Sequence, residues 1–315
     1  MPTSTQPNRA AAVTPTWLIV GCLLSVYVIW GTTYFAIKVG IEGTGPFFLV
    51  GTRFVVAGAL LLGWQARRRQ TFPTPRQWAS AAWVGFLLLV VGNGGVAVAE
   101  HRVSSGATVA LISAVPLATA LWSGAFGAWP RRLEWAAIAL GAVGTLVMLS
   151  GRDLQASPAG TLVLLLGIAC WSLGTVLSRR LDIPHGPTGF GAEMLCAGLI
   201  ALLVSAAFGE HWTMPHTGRV WWAWGYLVVF GSLIGFSAYR FLVERVSSTL
   251  ATTYAYVNPP VALLVGWWLG HESFSPSVLL GLPIVLGAVA LLAWAQARDR
   301  HEAANPGIAA LTLTD

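Results

Sequence analysis

Apolar residues along this chain gather into long runs broken by short polar segments, and the runs set the first expectation of structure. Windows of about 20 residues, the length needed to cross a hydrocarbon core, place ten helical spans. They cover residues 17–39, 46–66, 78–100, 104–125, 133–150, 159–177, 188–208, 220–243, 248–270 and 277–296. The connections are short, which leaves no room for a folded domain outside the bilayer. Residues 1–16 and 297–315, rich in Pro, Ala, Thr and charge, read as disordered cytoplasmic tails. The first run lacks a small-residue cleavage site, so it reads as a retained span, not a signal peptide.

A second pattern lies over the first. Arg102-Val-Ser-Ser105 returns as Arg245-Val-Ser-Ser248, and a proline follows each at the same distance, Pro116 and Pro259. Leu140-Gly-Ala-Val143 returns as Leu286-Gly-Ala-Val289, Ala57-Gly58 as Ala197-Gly198, and Trp30 is echoed by Trp171. The chain therefore reads as one module written twice, 17–151 and 152–296, with five spans in each copy. An odd number of spans per copy forces the second to enter the membrane from the opposite side, so the repeats are inverted.

Composition agrees with this picture and narrows it. With 56% hydrophobic and 10% charged residues and a mean hydropathy of +0.69, the chain cannot cover a water-facing surface, and the fold class is all-α polytopic membrane protein. The net charge of +6 is explained by loops and not by nucleic acid. With the N-terminus inside, twelve of the 18 basic residues fall in cytoplasmic segments and three outside, which favours both termini in the cytoplasm. Tryptophans at span ends, among them Trp17, Trp64, Trp129, Trp212, Trp222 and Trp294, read as interfacial anchors.

Together, Trp30-Gly-Thr-Thr-Tyr-Phe-Ala-Ile-Lys38, Gly51-Thr-Arg-Phe-Val-Val-Ala-Gly58, Ala99-Glu-His101 and Ala251-Thr-Thr-Tyr-Ala-Tyr-Val-Asn-Pro259 resemble the EamA family of the drug/metabolite transporter superfamily. The likeness is greatest to its bacterial inner-membrane permeases and smaller to its aromatic amino-acid exporters. The resemblance spans nearly the whole chain. It implies a ten-helix carrier with both termini cytoplasmic, exporting amino acids or other small metabolites across the cytoplasmic membrane.

Candidate residues follow from the physics of inverted-repeat carriers, in which substrate sits near the midplane where helices are interrupted. Pro116 and Pro259 are the expected interruptions, since proline removes a backbone donor inside a helix. Tyr254 and Asn258, four apart on one face, and Tyr256 stand just before the second break. Trp30 and Trp171, with Thr33, Tyr34 and Thr175 beside them, would make two aromatic walls; Asn93 lies in a Gly-Asn-Gly-Gly run of span three. For each, helix–helix packing is the alternative to lining a cavity. Within the spans Arg53 and Glu193 occupy matched positions, each on the order of 10 Å below its membrane surface. Glu100 or Glu42 is the expected partner of Arg53, and Arg240 that of Glu193, giving a polar gate near each mouth or else static ion pairs. Glu193 is also a candidate proton carrier, and His101 reads as solvated at the outer end of span three.

Other chemistry is not offered. The chain has no phosphate-binding Gly-x-x-x-x-Gly-Lys-Ser/Thr loop, no His-Glu-x-x-His and no Cys-x-x-Cys, so an ATPase, a metal centre and any cofactor are unexpected. Cys22, Cys170 and Cys196 all fall inside apolar runs and read as small buried hydrophobes. The expected partners are a small-molecule substrate and the lipid bilayer, with no ATPase subunit. A monomer is a complete transport unit, and a dimer is left open. Efflux of amphipathic organic compounds is the alternative within transport, and an intramembrane enzyme a more distant one.

Overall fold

The computed structural model describes residues 15–100, 103, 108, 111–150, 157–213, 217–270 and 276–304. His101, Arg102, Arg152, most of the first copy of the Arg-Val-Ser-Ser motif, and the tails 1–14 and 305–315 lie outside the described residues.

All regular structure among the described residues is helical. Six stretches are long and apolar enough to cross a membrane: Thr16–Gly40, Pro46–Arg67, Pro75–Ala99, Pro158–Leu177, Pro187–Ala207 and Gly218–Arg245. We label the helices α1 (Thr16–Gly40), α2 (Pro46–Arg67), α3 (Pro75–Gly85), α4 (Gly94–Ala99), α5 (Val115–Ala125), α6 (Arg132–Leu149) and α7 (Pro158–Leu177). They continue with α8 (Pro187–Ala207), α9 (Gly218–Tyr226), α10 (Ser237–Arg245), α11 (Ser248–Ala251), α12 (Tyr254–Gly270) and α13 (Pro276–Ala304). The protein is thus an all-α polytopic membrane protein. Large apolar side chains such as Leu24, Leu60, Leu162 and Leu203 are exposed all around it, an arrangement that only a lipid environment sustains. Trp17, Trp64, Trp129, Trp212, Trp222 and Trp294 are exposed as well.

Helix starts are written in the sequence. Pro46, Pro75, Pro158 and Pro187 each occupy the first turn of a helix, where a missing N–H costs nothing. At α3 the Thr74 hydroxyl accepts from the Gln77 N–H while the Gln77 side chain accepts from the Thr74 N–H. After α8, Gly209 adopts a left-handed φ of 67°. That turn returns Glu210 to the start of α2, where its carboxylate accepts from the N–H groups of Phe47 (3.2 Å) and Phe48 (2.8 Å).

Two membrane-crossing stretches are not α-helical throughout. Between α3 and α4 the chain runs as a π-helix over Phe86–Asn93, and between α9 and α10 as another over Leu227–Phe236. The expected breaks at the prolines are placed differently. Pro116 sits in the first turn of α5, directly after a two-residue turn at Ser113–Ala114. Pro259 does not break its helix: α12 runs through Pro259 and Pro260, and the interruption is at Thr252–Thr253, between α11 and α12. Pro259 and Pro260 are the sixth and seventh residues of α12 and each removes a ladder bond, yet the helix continues through them, and it is the turn at Thr252–Thr253 that releases the backbone. The C-terminal tail was expected from residue 297, yet α13 continues to Ala304.

Helices pack through glycine seams. A Cβ on Gly58 would meet backbone atoms of Leu195 at 2.6 Å and Gly191 at 2.9 Å; one on Gly198 would meet Val55 N at 2.5 Å. Gly51 faces Leu202, so numbers rise along α2 as they fall along α8, and the two helices run antiparallel. The same sense holds for α6 and α13, where Gly144 meets Val285 and Gly281 meets Met148. Without a hydrophobic driving force between helices in lipid, such backbone-to-backbone approach is what holds them together.

Candidate functional site

An aromatic cluster lies within the mostly aliphatic core. Trp30 of α1 lies 4.9 Å from Phe236, 5.0 Å from Tyr239, 4.8 Å from Tyr254 and 5.5 Å from Trp171, measured between ring centroids. Trp171 of α7 contacts the same three rings. The cluster is held by polar anchors at its edges: the Trp30 indole donates to the Gly231 carbonyl (3.3 Å), and the Tyr239 and Thr175 hydroxyls share a 2.6 Å hydrogen bond.

Beside this cluster is a narrow cavity of about 60 Å³, well short of the volume of a typical small-molecule site. Trp30, Thr33, Tyr34 and Ile37 of α1 line it together with Arg53 of α2 and Gly92, Asn93 and Val96 of the third crossing. Ile112, Val115, Gly167, Ile168, Trp171 and Tyr254 complete the wall. Only glycine fits at one crossing: a Cβ on Gly167 would stand 3.3 Å from the Gly92 carbonyl oxygen, and one on Gly92 would stand 3.0 Å from the Trp171 ring.

Both π-helical stretches reach this place. The first ends on Gly92 and Asn93; the second supplies the Gly231 carbonyl to Trp30 and the Ser232 hydroxyl to Arg53. A π segment widens the backbone turn and commonly marks a functional site.

Seven of the expected residues therefore meet: Trp30, Thr33, Tyr34, Asn93, Trp171 and Tyr254 share the cavity wall, and Arg53 joins them. Asn258 stands behind Tyr34, donating to its hydroxyl at 3.3 Å. Thr175 supports Tyr239 from outside the cavity. Tyr256 is a correction. Its hydroxyl donates to the Ile138 carbonyl and its ring packs with Met148 and Val285, away from the cavity. Two residues apart on a helix means about 200° of rotation, so Tyr254 and Tyr256 cannot share a face.

The expected gates also change. Arg53 is 2% exposed, and among the described residues it forms no ion pair with Glu42 or Glu100. Its Nε donates to Ser232 at 2.8 Å, and its guanidinium lies 4.5 Å from the Phe54 ring centre. Glu42 instead forms an ion pair with Arg219 at 3.7 Å. Glu100 has one buried carboxylate oxygen without a hydrogen-bond partner. Glu193 and Arg240 do lie together, 3.8 Å apart, and Glu244 joins them at 3.4 Å from Arg240. The Arg240 guanidinium also donates to the Ser178 carbonyl at 3.3 Å.

Ser232, Phe236 and Tyr239 were not among the expected site residues. The spacing of Phe236 and Tyr239, three apart in span eight, was an available signal; Ser232 carried none beyond being polar within an apolar run. No group of three or more His, Cys, Asp or Glu side chains suited to a metal ion occurs among the described residues.

Comparison with known proteins now places the chain. The EamA-like transporter family matches it twice, over residues 16–150 and 158–294. The chain is 42% identical over 273 residues to the uncharacterized inner membrane transporter YedA of Escherichia coli K12, an alignment covering 86% of this chain and 89% of YedA. It is 29% identical to an S-adenosylmethionine/S-adenosylhomocysteine transporter of Chlamydia muridarum, over 82% of this chain and 86% of that protein. A crystal structure of 19% sequence identity superposes with a TM-score of 0.72, over 90% of this chain and 99% of the other, and shares the fold. The chain belongs to the EamA-like transporter family of the drug/metabolite transporter superfamily, and is a multi-pass secondary transporter of the inner membrane.

Proposed function

We propose that this protein carries amino acids or closely similar small metabolites outward through alternating access of the cavity between Trp30 and Trp171. The reading takes ten spans as two inverted five-helix repeats, 17–151 and 152–296, with both termini cytoplasmic. The two family matches and the antiparallel pairs α2/α8 and α6/α13 support it, because inversion turns equivalent helices of two copies against each other.

The observation that carries the functional reading is the wall of the cavity. It draws on both proposed repeats, combines flat aromatic surface with a few polar groups, and holds one cationic side chain. Flat apolar bodies with a polar end fit such a wall. The Chlamydia relative is named for S-adenosylmethionine and S-adenosylhomocysteine, molecules that join an amino-acid end to a flat ring.

Uptake of a labelled amino-acid panel into proteoliposomes, with and without an imposed pH gradient and against protein-free liposomes, tests the proposal. Saturable uptake of some members supports it, and a gradient response assigns proton coupling, with Glu193 the first residue to replace. A flat panel would end the amino-acid reading and move efflux of amphipathic organic compounds, favoured by the mostly apolar wall, into its place.

A further inference from the structure

Arg53 is a buried cation for which the described residues offer no counter-charge. Its guanidinium is 2% exposed, on the wall of the central cavity. Nε is satisfied by Ser232, but Nη1 is buried with no hydrogen-bond partner in the protein. Among the described residues no carboxylate forms an ion pair with it: Glu42 is with Arg219, and Glu193 and Glu244 are with Arg240. A buried cation without a counter-charge is costly in a medium of low dielectric. Water in the cavity can hydrogen-bond to it but cannot neutralise it.

Structural arginines in membrane interiors are held by acidic partners or backbone carbonyls. Here the fixed contacts are a neutral hydroxyl and the face of Phe54. Those two orient the planar fork and leave one edge open. A planar fork with free N–H groups matches a carboxylate in two-point geometry. On the same wall the Asn93 side-chain oxygen is also buried without a partner, an acceptor for an N–H. Apart from the hydroxyls of Thr33, Tyr34 and Tyr254, the rest of the wall is aromatic and aliphatic.

We infer that Arg53 is the substrate-binding counter-ion of this carrier, and that the cavity takes molecules joining a carboxylate to a flat or apolar body. This deepens the proposed amino-acid reading and rests on it only for the second contact, an ammonium or other N–H donor at Asn93. The carboxylate supplies the counter-charge that none of the described residues provides. Molecules with the same body but no carboxylate leave the guanidinium uncompensated and bind poorly. Ser232 acts as a positioning residue, through its hold on Nε.

Thermal unfolding of the purified protein in detergent, read with four probes sharing a phenyl ring, tests this directly: L-phenylalanine, 3-phenylpropionate, L-phenylalaninamide and phenethylamine. The two carboxylates are expected to raise the melting temperature in a concentration-dependent way, and the amide and amine to leave it unchanged. Arg53→Gln is expected to weaken the carboxylates about 30-fold or more, and Arg53→Lys, which keeps the charge but loses the fork, by less. The ligand-free Arg53→Gln protein is expected to melt no lower than the wild type, the opposite of what removing a structural arginine does. Should Arg53→Gln fail to fold, Ser232→Ala supplies the readout, with carboxylate affinity falling and the amide unmoved.

Binding of 3-phenylpropionate in an Arg53-dependent way without any amino-acid transport would end the amino-acid reading and leave the anion site standing. Stabilisation by the amide equal to that by phenylalanine, carboxylate binding undiminished in Arg53→Gln, or no shift with any of the four probes would each overturn the inference.

Discussion

The indole rings of Trp30 and Trp171 meet edge to face, 5.5 Å apart and inclined at 80°. Both are buried, both border the cavity, and they come from opposite halves of the chain. An edge-to-face pair presents the positive rim of one ring to the negative face of the other, worth about 0.5–1.5 kcal/mol beyond burial. Each ring thus helps to set the angle of the other, and a substrate meets a wall whose shape depends on both.

Trp30→Ala is expected to cost stability and transport together. Removing a buried aromatic leaves a void worth roughly 3–5 kcal/mol, and Trp171, Phe236, Tyr239 and Tyr254 lose a common neighbour. Trp30→Phe should keep the fold and part of the activity while losing the bond to the Gly231 carbonyl. Trp222→Ala, at an 83% exposed position, is the control and should leave melting temperature unchanged.

The seam between α2 and α8 makes a sharper steric prediction. An alanine at Gly58 or Gly198 would drive its methyl into backbone atoms, which cannot swing aside. Overpacking of this kind costs about 1–3 kcal/mol. Gly63 lies on the same helix with nothing within 4 Å of its would-be Cβ, so Gly63→Ala should be neutral or gain up to about 1 kcal/mol from helix propensity. Melting of the three variants in one detergent decides between them.

Arg240 faces Glu193 and Glu244 at once, and that asymmetry orders the mutants. Arg240→Gln strands two carboxylates and is expected to cost about 3–5 kcal/mol. Glu193→Gln leaves Arg240 with Glu244 and should cost less. The double variant should recover part of the loss, which a double-mutant cycle in thermal unfolding would measure.

Glu210 reaches from the end of α8 to the first amides of α2. Glu210→Ala removes an N-terminal cap from another part of the chain, expected to cost about 1 kcal/mol. Hydrogen exchange should speed up at the amides of Phe47 and Phe48 and stay unchanged at the start of α3, which Thr74 caps locally.

Much of this was legible before any coordinates. Apolar run length located the six membrane-length helices, because a segment that satisfies its own backbone bonds in lipid has to be helical. Trp30, Thr33, Tyr34, Asn93, Trp171 and Tyr254 were recognisable as polar or aromatic positions deep within apolar runs. The partner of Arg53 was not. Charge complementarity pointed to Glu42 or Glu100, while Ser232 lies 179 positions away in a run where one serine looks like any other. The π stretches were also hidden: a helix apolar on every side has no amphipathic period from which a changed winding could be read. Tyr256 is singled out by its place just before Pro259 alone, and two residues from Tyr254 it faces the other side of the helix.

The π stretches also govern how the chain can vary. Going from α to π winding takes up extra residues without lengthening the crossing, and the wider turns absorb the roughly 100° by which each extra residue would otherwise rotate the remainder of the helix. Asn93 through Ala99 and Ser237 through Arg245 therefore owe their facing to the stretches that precede them. Losing a residue on either side of such a stretch, where ordinary winding absorbs nothing, would swing the polar groups beyond it by about 100°, with every other side chain still present. In these two crossings the residue count is a phase angle, and insertions and deletions should be far less tolerated there than in the loops.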